Sequence, residues 1–134
     1  MGRRENYERQ HKEIREAANT IITESKKKDI DFRNAAASLN KLAGLLSIHL
    51  KSEDKFLYPE LENSSDEKIS KTALTFDNEM REILDVFTKY KNNYNIARKI
   101  EDDLEGFKTE GKKIIEALFK RMEREEKELY IYIS

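Results

Sequence analysis

Apolar residues recur at helical spacing through most of the chain. Near the N-terminus, three- and four-residue intervals link Ile14, Ala18, Ile21 and Ile22, which is the spacing of a buried stripe on one face of an α-helix. His11 falls on the same stripe. The pattern predicts a first helix from about Glu5 to Lys27.

A second helix is predicted from about Asp31 to Glu62. Its inward positions combine apolar residues with one histidine and one glutamate: Ala35, Leu39, Leu42, Leu45, Leu46, His49, Glu53, Phe56 and Leu57. The Tyr58-Pro59 step predicts a kink in its last turn, because proline cannot donate a backbone hydrogen bond.

Two further helices complete the pattern. Ser64 to Glu67 resembles a capping box that starts the third helix, whose inner stripe is Ile69, Ala73, Phe76, Met80, Ile83 or Leu84, and Phe87. The polar stretch from Lys91 to Asn95 separates it from the fourth helix. That helix is predicted to reach about Tyr130, with Leu104, Phe107, Ile114, Leu118, Met122, Glu125 and Leu129 inward. Gly106 and Gly111 predict a bend or a late start in its first half.

Composition supports an all-helical fold. The chain has 134 residues, of which 40% are charged, with only 4 glycines and 1 proline, as expected of long amphipathic helices. This length fits one domain, residues 1–134. Four helices with short connections predict an all-α, antiparallel, up-down-up-down four-helix bundle.

Charge and cysteine content exclude several classes of function. The net charge is -1 and basic residues are mixed with acidic ones, so a nucleic-acid partner is not expected. No apolar stretch approaches the roughly 20 residues of a membrane span, and the N-terminus lacks a signal-peptide core. A cytoplasmic protein is therefore expected. Because the chain has no cysteine, any bound metal would have nitrogen and oxygen ligands.

The two histidines of the chain point to such a site. His49 and Glu53 are four residues apart and share one helix face. Given a rise of about 1.5 Å per residue, antiparallel helices bring His11 and Glu125 to the same height within boundary error. Two imidazoles and two carboxylates suit iron, manganese or zinc. His11 could be an exposed residue, and Glu53 and Glu125 could be surface charges, whereas His49 points inward and needs a partner. The prediction therefore depends on the set.

The same layer contains three residues that are not normal metal ligands: Phe76, Met80 and Arg121. Arg121 lies four residues before Glu125, so its guanidinium could pair with the buried carboxylates of this layer by charge-assisted hydrogen bonds. An arginine that reaches solvent is the alternative. Tyr7 and Tyr58 are candidate hydrogen-bond donors around the ligands.

These residues resemble the hemerythrin-like, or HHE, family over essentially the whole chain. The similarity consists of a single histidine in the first helix, His49 to Glu53 followed by Leu57-Tyr58-Pro59, and the closing segment from Glu125 to Tyr130. The resemblance implies a four-helix bundle that holds two non-haem irons and acts in oxygen binding, oxygen or iron sensing, or nitric-oxide and oxidative stress chemistry.

Transferred to this chain, the resemblance makes His11 and His49 terminal ligands of one iron, with Glu53 and Glu125 as the bridging carboxylates. The histidines of the second iron correspond to Phe76, Met80 and Arg121. The leading hypothesis is therefore a divergent iron protein with one metal ion that binds or senses a small molecule such as oxygen, nitric oxide or peroxide, or handles iron; whether it is an enzyme is left open.

Two alternatives stay open at this point. The bundle could bind no metal and act as an interaction or regulatory module, since Phe76 and Met80 suit ordinary core packing. A two-iron site could also persist, with Asp77 or Glu79 supplying carboxylates from the third helix. The oligomeric state is not determined by these patterns.

Overall fold

The computed structural model describes residues 2–133 and is helical throughout this range apart from short connections. Met1 and Ser134, the two ends of the predicted domain, lie outside the described part. The α-helices are α1 (Arg3–Ser25), α2 (Phe32–Ser52), α3 (Tyr58–Glu62), α4 (Glu67–Tyr94), α5 (Ala97–Asp102) and α6 (Leu104–Arg124). Two π-helical turns, Glu53–Leu57 and Glu125–Leu129, and a 3-10 turn, Tyr130–Tyr132, complete the chain. The predicted all-α class is confirmed.

Side-chain contacts show that neighbouring long helices run antiparallel. The start of α1 meets the end of α2, where His11 contacts His49, and the end of α1 meets the start of α2, where Glu24 contacts Asn34. Likewise, α4 and α6 run in opposite directions. The Phe76 carbonyl near the start of α4 meets Arg121 near the end of α6, and Tyr90 meets Phe107.

The second predicted helix is interrupted by a π turn rather than by a simple proline kink. Pro59 has no amide hydrogen, and the preceding Tyr58 N–H donates to the Glu53 carbonyl five residues back. The additional residue in this turn rotates the downstream side chains by about 100° relative to a regular α-helix. Phe56, expected inside, is therefore 54% exposed, whereas Leu57 and Tyr58 are buried.

Two helix boundaries also differ from expectation. The capping residue of α4 is Asp66, which accepts from the Lys68 N–H at 2.9 Å, while Ser64 accepts from the Asp66 N–H. The fourth predicted helix breaks at Asp103 into α5 and α6, and the Asp103 side chain caps α6 by accepting from the Gly106 N–H. The break is thus made by an aspartate N-cap that bonds the Gly106 N–H, where an added Cβ would collide with the Asp103 carboxylate.

A polar layer divides the core into two apolar parts. The larger part fills most of the bundle and includes Ile14, Leu46, Met80 and Met122. The smaller part closes one end: Tyr7, Leu57, Tyr58, Leu61, Ala73, Phe76, Leu129, Tyr130 and Ile133. Between them lie the buried polar residues His11, His49, Glu53, Arg121 and Glu125. None of the helices in residues 2–133 has both the length and the apolarity of a membrane span.

Candidate metal centre

The structure brings all four predicted ligands into one buried cluster. His11 Nε2 lies 3.1 Å from His49 Nε2 and 2.9 Å from Glu125 Oε1. His49 Nε2 lies 3.7 Å from the same Glu125 oxygen and 3.4 Å from Glu53 Oε1. All four side chains are at most 3% exposed. His11, His49 and Glu125 form a group whose candidate ligand atoms lie within 4.8 Å of one another.

Each imidazole is oriented by a contact at its Nδ1 atom, on the side of the ring that faces away from the cluster. His11 Nδ1 lies 3.3 Å from Glu126 Oε2, and His49 Nδ1 lies 2.6 Å from Gln10 Oε1. Because these partners are hydrogen-bond acceptors, we assign the ring protons to the Nδ1 atoms. Arg15 fixes Glu126 in turn by donating to its Oε2 at 2.6 Å. Each Nε2 therefore presents a lone pair to the centre of the cluster.

The two carboxylates of the cluster begin the two π turns. Glu53 is the first residue of one turn and Glu125 the first of the other. Single π turns within α-helices are frequent at functional sites, because they change the direction of side chains without ending the helix. A tyrosine directly follows each turn, five residues after the glutamate: Tyr58 in one case and Tyr130 in the other.

Tyr130 stands in the middle of the cluster, a position that the sequence analysis missed. Its hydroxyl donates to Glu53 Oε2 at 2.7 Å. It also lies 3.1 Å from His11 Nε2 and 3.3 Å from His49 Nε2. The signal that could have found it is the spacing Glu-x-x-x-Leu-Tyr, which occurs at residues 53–58 and again at 125–130.

Burial and mutual charge set the ionisation of the acids and of the phenol. Burial and the neighbouring charge of Glu125 raise the pKa of Glu53 above its ordinary value of 4.5. Burial opposes ionisation of Glu125 too, but its contacts with the two histidines and the positive charge of Arg121 hold its pKa below 4.5. Burial and the charges of Glu125 and Glu53 raise the pKa of Tyr130 well above 10.0.

Arg121 occupies the side of the cluster where the resemblance places a second iron. Its Nε donates to Glu125 Oε2 at 3.1 Å, and its Nη2 donates to the Tyr58 hydroxyl and the Phe76 carbonyl at 2.8 and 2.7 Å. The guanidinium carbon lies 4.5 Å from the centre of the Phe76 ring, a cation–π contact. The side chain is buried and does not reach solvent.

The expected pairing of Arg121 with both carboxylates is half right. Arg121 bonds Glu125, whereas Glu53 bonds Tyr130 and, within residues 2–133, its Oε1 has no hydrogen-bond partner. Met80 packs in the larger apolar part. Asp77 lies beside Asp54 and Glu62, and Glu79 Oε2 pairs with Arg124 at 2.7 Å.

The two expected donors around the ligands differ in what they contact. Tyr58 accepts a hydrogen bond from Arg121. The Tyr7 hydroxyl instead donates to the Ser52 carbonyl at 3.4 Å. The Tyr7 ring stacks on Tyr130 at 5.3 Å between centroids and meets the His49 ring edge-on. Tyr7 thus lines the site with its ring and does not donate a hydrogen bond to a candidate ligand.

The arrangement fits one first-row transition metal ion. Two cis ligands with bonds of about 2.1 Å are about 3 Å apart, close to the 3.1 Å between the two Nε2 atoms. Histidines that bind metals almost always donate the other ring N–H to a protein acceptor, as both do here. Two histidines with one carboxylate are the ligand set of many non-haem Fe(II) sites.

Comparison with known proteins identifies one family. The family model described as hemerythrin HHE cation binding domain matches residues 4–133. No curated protein and no solved structure matches the chain.

Proposed function

The chain belongs to the hemerythrin HHE cation-binding domain family, and we propose that it holds a single non-haem iron ion. The ligands would be His11, His49 and Glu125, with Glu53 adding its unpartnered oxygen. This ion would serve to bind or sense a small molecule such as nitric oxide or peroxide.

The observation that carries the proposal is the orientation of the two imidazoles. With protons on Nδ1, two nitrogen lone pairs face each other across 3.1 Å, and a carboxylate oxygen lies 2.9 Å from one of them. Acceptors in mutual contact repel unless a cation or a proton lies between them. Glu126 and Gln10 hold the rings in this orientation, and a bound metal ion would remove the repulsion between the lone pairs.

Arg121 supports one ion rather than two. A buried guanidinium bonded to Glu125 Oε2 already supplies positive charge on the far side of that carboxylate. Phe76 and Met80 offer no ligand for a second ion, and the Phe76 ring instead lies against the guanidinium. A protein cation therefore takes the place that a second metal would occupy.

The surroundings restrict what could reach the ion. Tyr7, Tyr58 and Phe76 are buried around it, so only a molecule of a few atoms would fit without a rearrangement of the core. A bound ferrous ion would supply an electron-rich centre that takes up nitric oxide or reacts with peroxide. Because one iron gives one electron in its ordinary oxidation step, the two-electron oxygen binding of a di-iron pair is not proposed.

The test is the metal content of the purified chain. We expect about one iron per chain after anaerobic reconstitution with Fe(II), loss of that iron in His49→Ala, and retention in Ser47→Ala. Ser47 is a matched control because it is exposed on the same helix. Circular dichroism checks that both variants remain folded.

Each other result contradicts the proposal in a defined way. Two irons per chain with oxo-bridge absorption would mean that α4 provides ligands after rearrangement. Absence of iron in the folded, reconstituted protein would favour the metal-free interaction module, in which case the cluster is a buried polar network only.

A further inference from the structure

We propose that the phenol oxygen of Tyr130 is itself a metal ligand, completing the site formed by His11, His49 and Glu125. This inference rests on the proposed metal binding and goes beyond it, because it assigns a phenolate ligand and a ferric state that the four predicted ligands do not imply.

Geometry carries the inference. Four atoms surround one point: His11 Nε2, His49 Nε2, Glu125 Oε1 and Tyr130 Oη. The six distances between them range from 2.9 to 3.7 Å. A tetrahedron with edges of about 3.2 Å has its centre about 2.0 Å from each corner, which is the length of metal bonds to nitrogen and oxygen ligands.

Tyr130 is held at this position from several sides. Its backbone N–H donates to the Glu125 carbonyl across the π turn, so the phenol and the Glu125 carboxylate are set by the same backbone feature. Its ring stacks on Tyr7 and lies 5.3 Å from the His11 ring. The residue is fully buried, and its oxygen cannot turn to solvent.

A purely structural role for Tyr130 makes a different prediction. In that case the hydroxyl would only donate to Glu53 Oε2 and would stay protonated when metal binds. In the coordinated state, the phenol O–H bond breaks as the metal–oxygen bond forms. Glu53 Oε2 is the hydrogen-bonded acceptor for the displaced proton, and no electron is transferred when the metal is supplied as Fe(III).

Phenolate bound to Fe(III) absorbs visible light by charge transfer, whereas imidazole and carboxylate ligands alone do not give this band. The experiment is to load the intact protein with ferric citrate and record metal content, visible absorption and resonance Raman spectra. We expect one iron, an intense visible band and enhanced phenolate ring vibrations. These vibrations should shift when the protein is produced with ring-deuterated tyrosine, a result that needs no variant.

Variants then identify the tyrosine. Tyr130→Phe should bind iron without the visible band, while Tyr58→Phe and Tyr7→Phe should keep it, because those hydroxyls contact Arg121 and Ser52. Retention of the band in Tyr130→Phe would overturn the assignment. One bound iron without phenolate signals in the wild type would overturn this inference and leave the proposed function standing. Failure to bind iron at all would overturn both.

Discussion

The bundle has two buried carboxylate networks, which differ in whether all their polar atoms have hydrogen-bond partners. One surrounds Glu24 near the end of α1, and the other is the cluster of Glu53 and Glu125. Glu24 lies thirteen positions after His11 in α1, or about 20 Å along the helix axis. Both networks exclude solvent from their carboxylates, since Glu24, Glu53 and Glu125 are each at most 2% exposed.

The Glu24 network is complete in itself. Glu24 Oε1 accepts from the Asp31 N–H at 2.7 Å, and Oε2 accepts from Asn34 Nδ2 at 3.0 Å and Lys27 Nζ at 2.8 Å. All these donors belong to the α1–α2 connection and the start of α2. The network therefore fixes the turn between these helices and needs nothing from outside the chain.

The cluster of Glu53 and Glu125 lacks donors where Glu24 has them. Its two Nε2 atoms and the Glu125 oxygen are mutual acceptors. Among the described residues, Glu53 Oε1 has no hydrogen-bond partner, and Arg121 Nη1 has only an ion-pair contact with Glu79 Oε2 at 3.6 Å. An incomplete buried network is costly, and the proposed metal ion would complete this one at the Nε2 atoms and the Glu125 oxygen. The first network thus fixes a helix connection, whereas the second contains the ligand atoms on which the proposed metal binding depends.

The largest expected effect comes from removal of Arg121. Arg121→Met keeps apolar volume but leaves Glu125 without its buried cation and removes the side-chain donor to the Phe76 carbonyl. We expect a loss of about 3–5 kcal/mol in the free energy of unfolding of the metal-free protein, measured by urea denaturation at pH 7. Arg124→Met, at an exposed position, is the control. Equal stability of the Arg121 variant and wild type would contradict a cationic role.

Metal binding should stabilise the cluster of Glu53 and Glu125 and should not depend on the Glu24 network. Free metal at 100 times its dissociation constant should raise the unfolding free energy of wild type by about 2.7 kcal/mol. This increment should vanish in His49→Ala and persist in Glu24→Gln. Thermal denaturation with and without Fe(II), under anaerobic conditions, measures it. A reduced increment in Glu24→Gln would show that the two networks are coupled.

A smaller effect is expected from the residue that orients His49. Gln10→Leu removes the acceptor at 2.6 Å from His49 Nδ1, which should lower metal affinity about 10- to 100-fold. The stability of the metal-free protein should change little, because Gln10 is only half-buried. Equilibrium dialysis measures the affinity, and Lys12→Leu on the exposed side of α1 is the control. Equal affinities in both variants would place the orientation of His49 elsewhere.

The smallest effect is the acid response of the Glu24 network. Hydrogen bonds from Lys27, Asp31 and Asn34 lower the pKa of Glu24 to about 2 from an ordinary 4.5. Its contribution to stability is therefore complete above pH 4.5 and is lost as the pH falls towards 2. In this window, wild type should lose stability more steeply than Glu24→Gln, which cannot titrate. Parallel denaturation curves from pH 5 to 2 would contradict this assignment.

Helical periodicity predicted the main elements and much of the site. His49 and Glu53 were placed on one face by their four-residue spacing, and His11 and Glu125 joined them through antiparallel packing. These inferences succeeded because α-helical phase and rise depend little on tertiary context. Phe76 and Met80 were also correctly placed in the core.

The wrong position of Phe56 and the omission of Tyr130 share one physical cause, the π turns. Each turn changes the helical phase by about one residue, which turned Phe56 outward and brought Tyr58 and Tyr130 inward. A regular α-helical projection places residues five apart on different faces. Tyr130 was therefore missed, although it lies among all four predicted ligands.

The sequence by itself determined an all-helical chain with two histidines and two glutamates in one layer, because side-chain periodicity follows from local backbone geometry. Only the tertiary structure decided that Arg121 turns inward to Glu125 and that the Tyr130 oxygen stands among the ligands. The rotamer of a long side chain and the phase after a π turn depend on which partners the neighbouring helices present. Those partners lie more than 40 residues away along the chain, at Phe76 for Arg121 and at Glu53 for Tyr130.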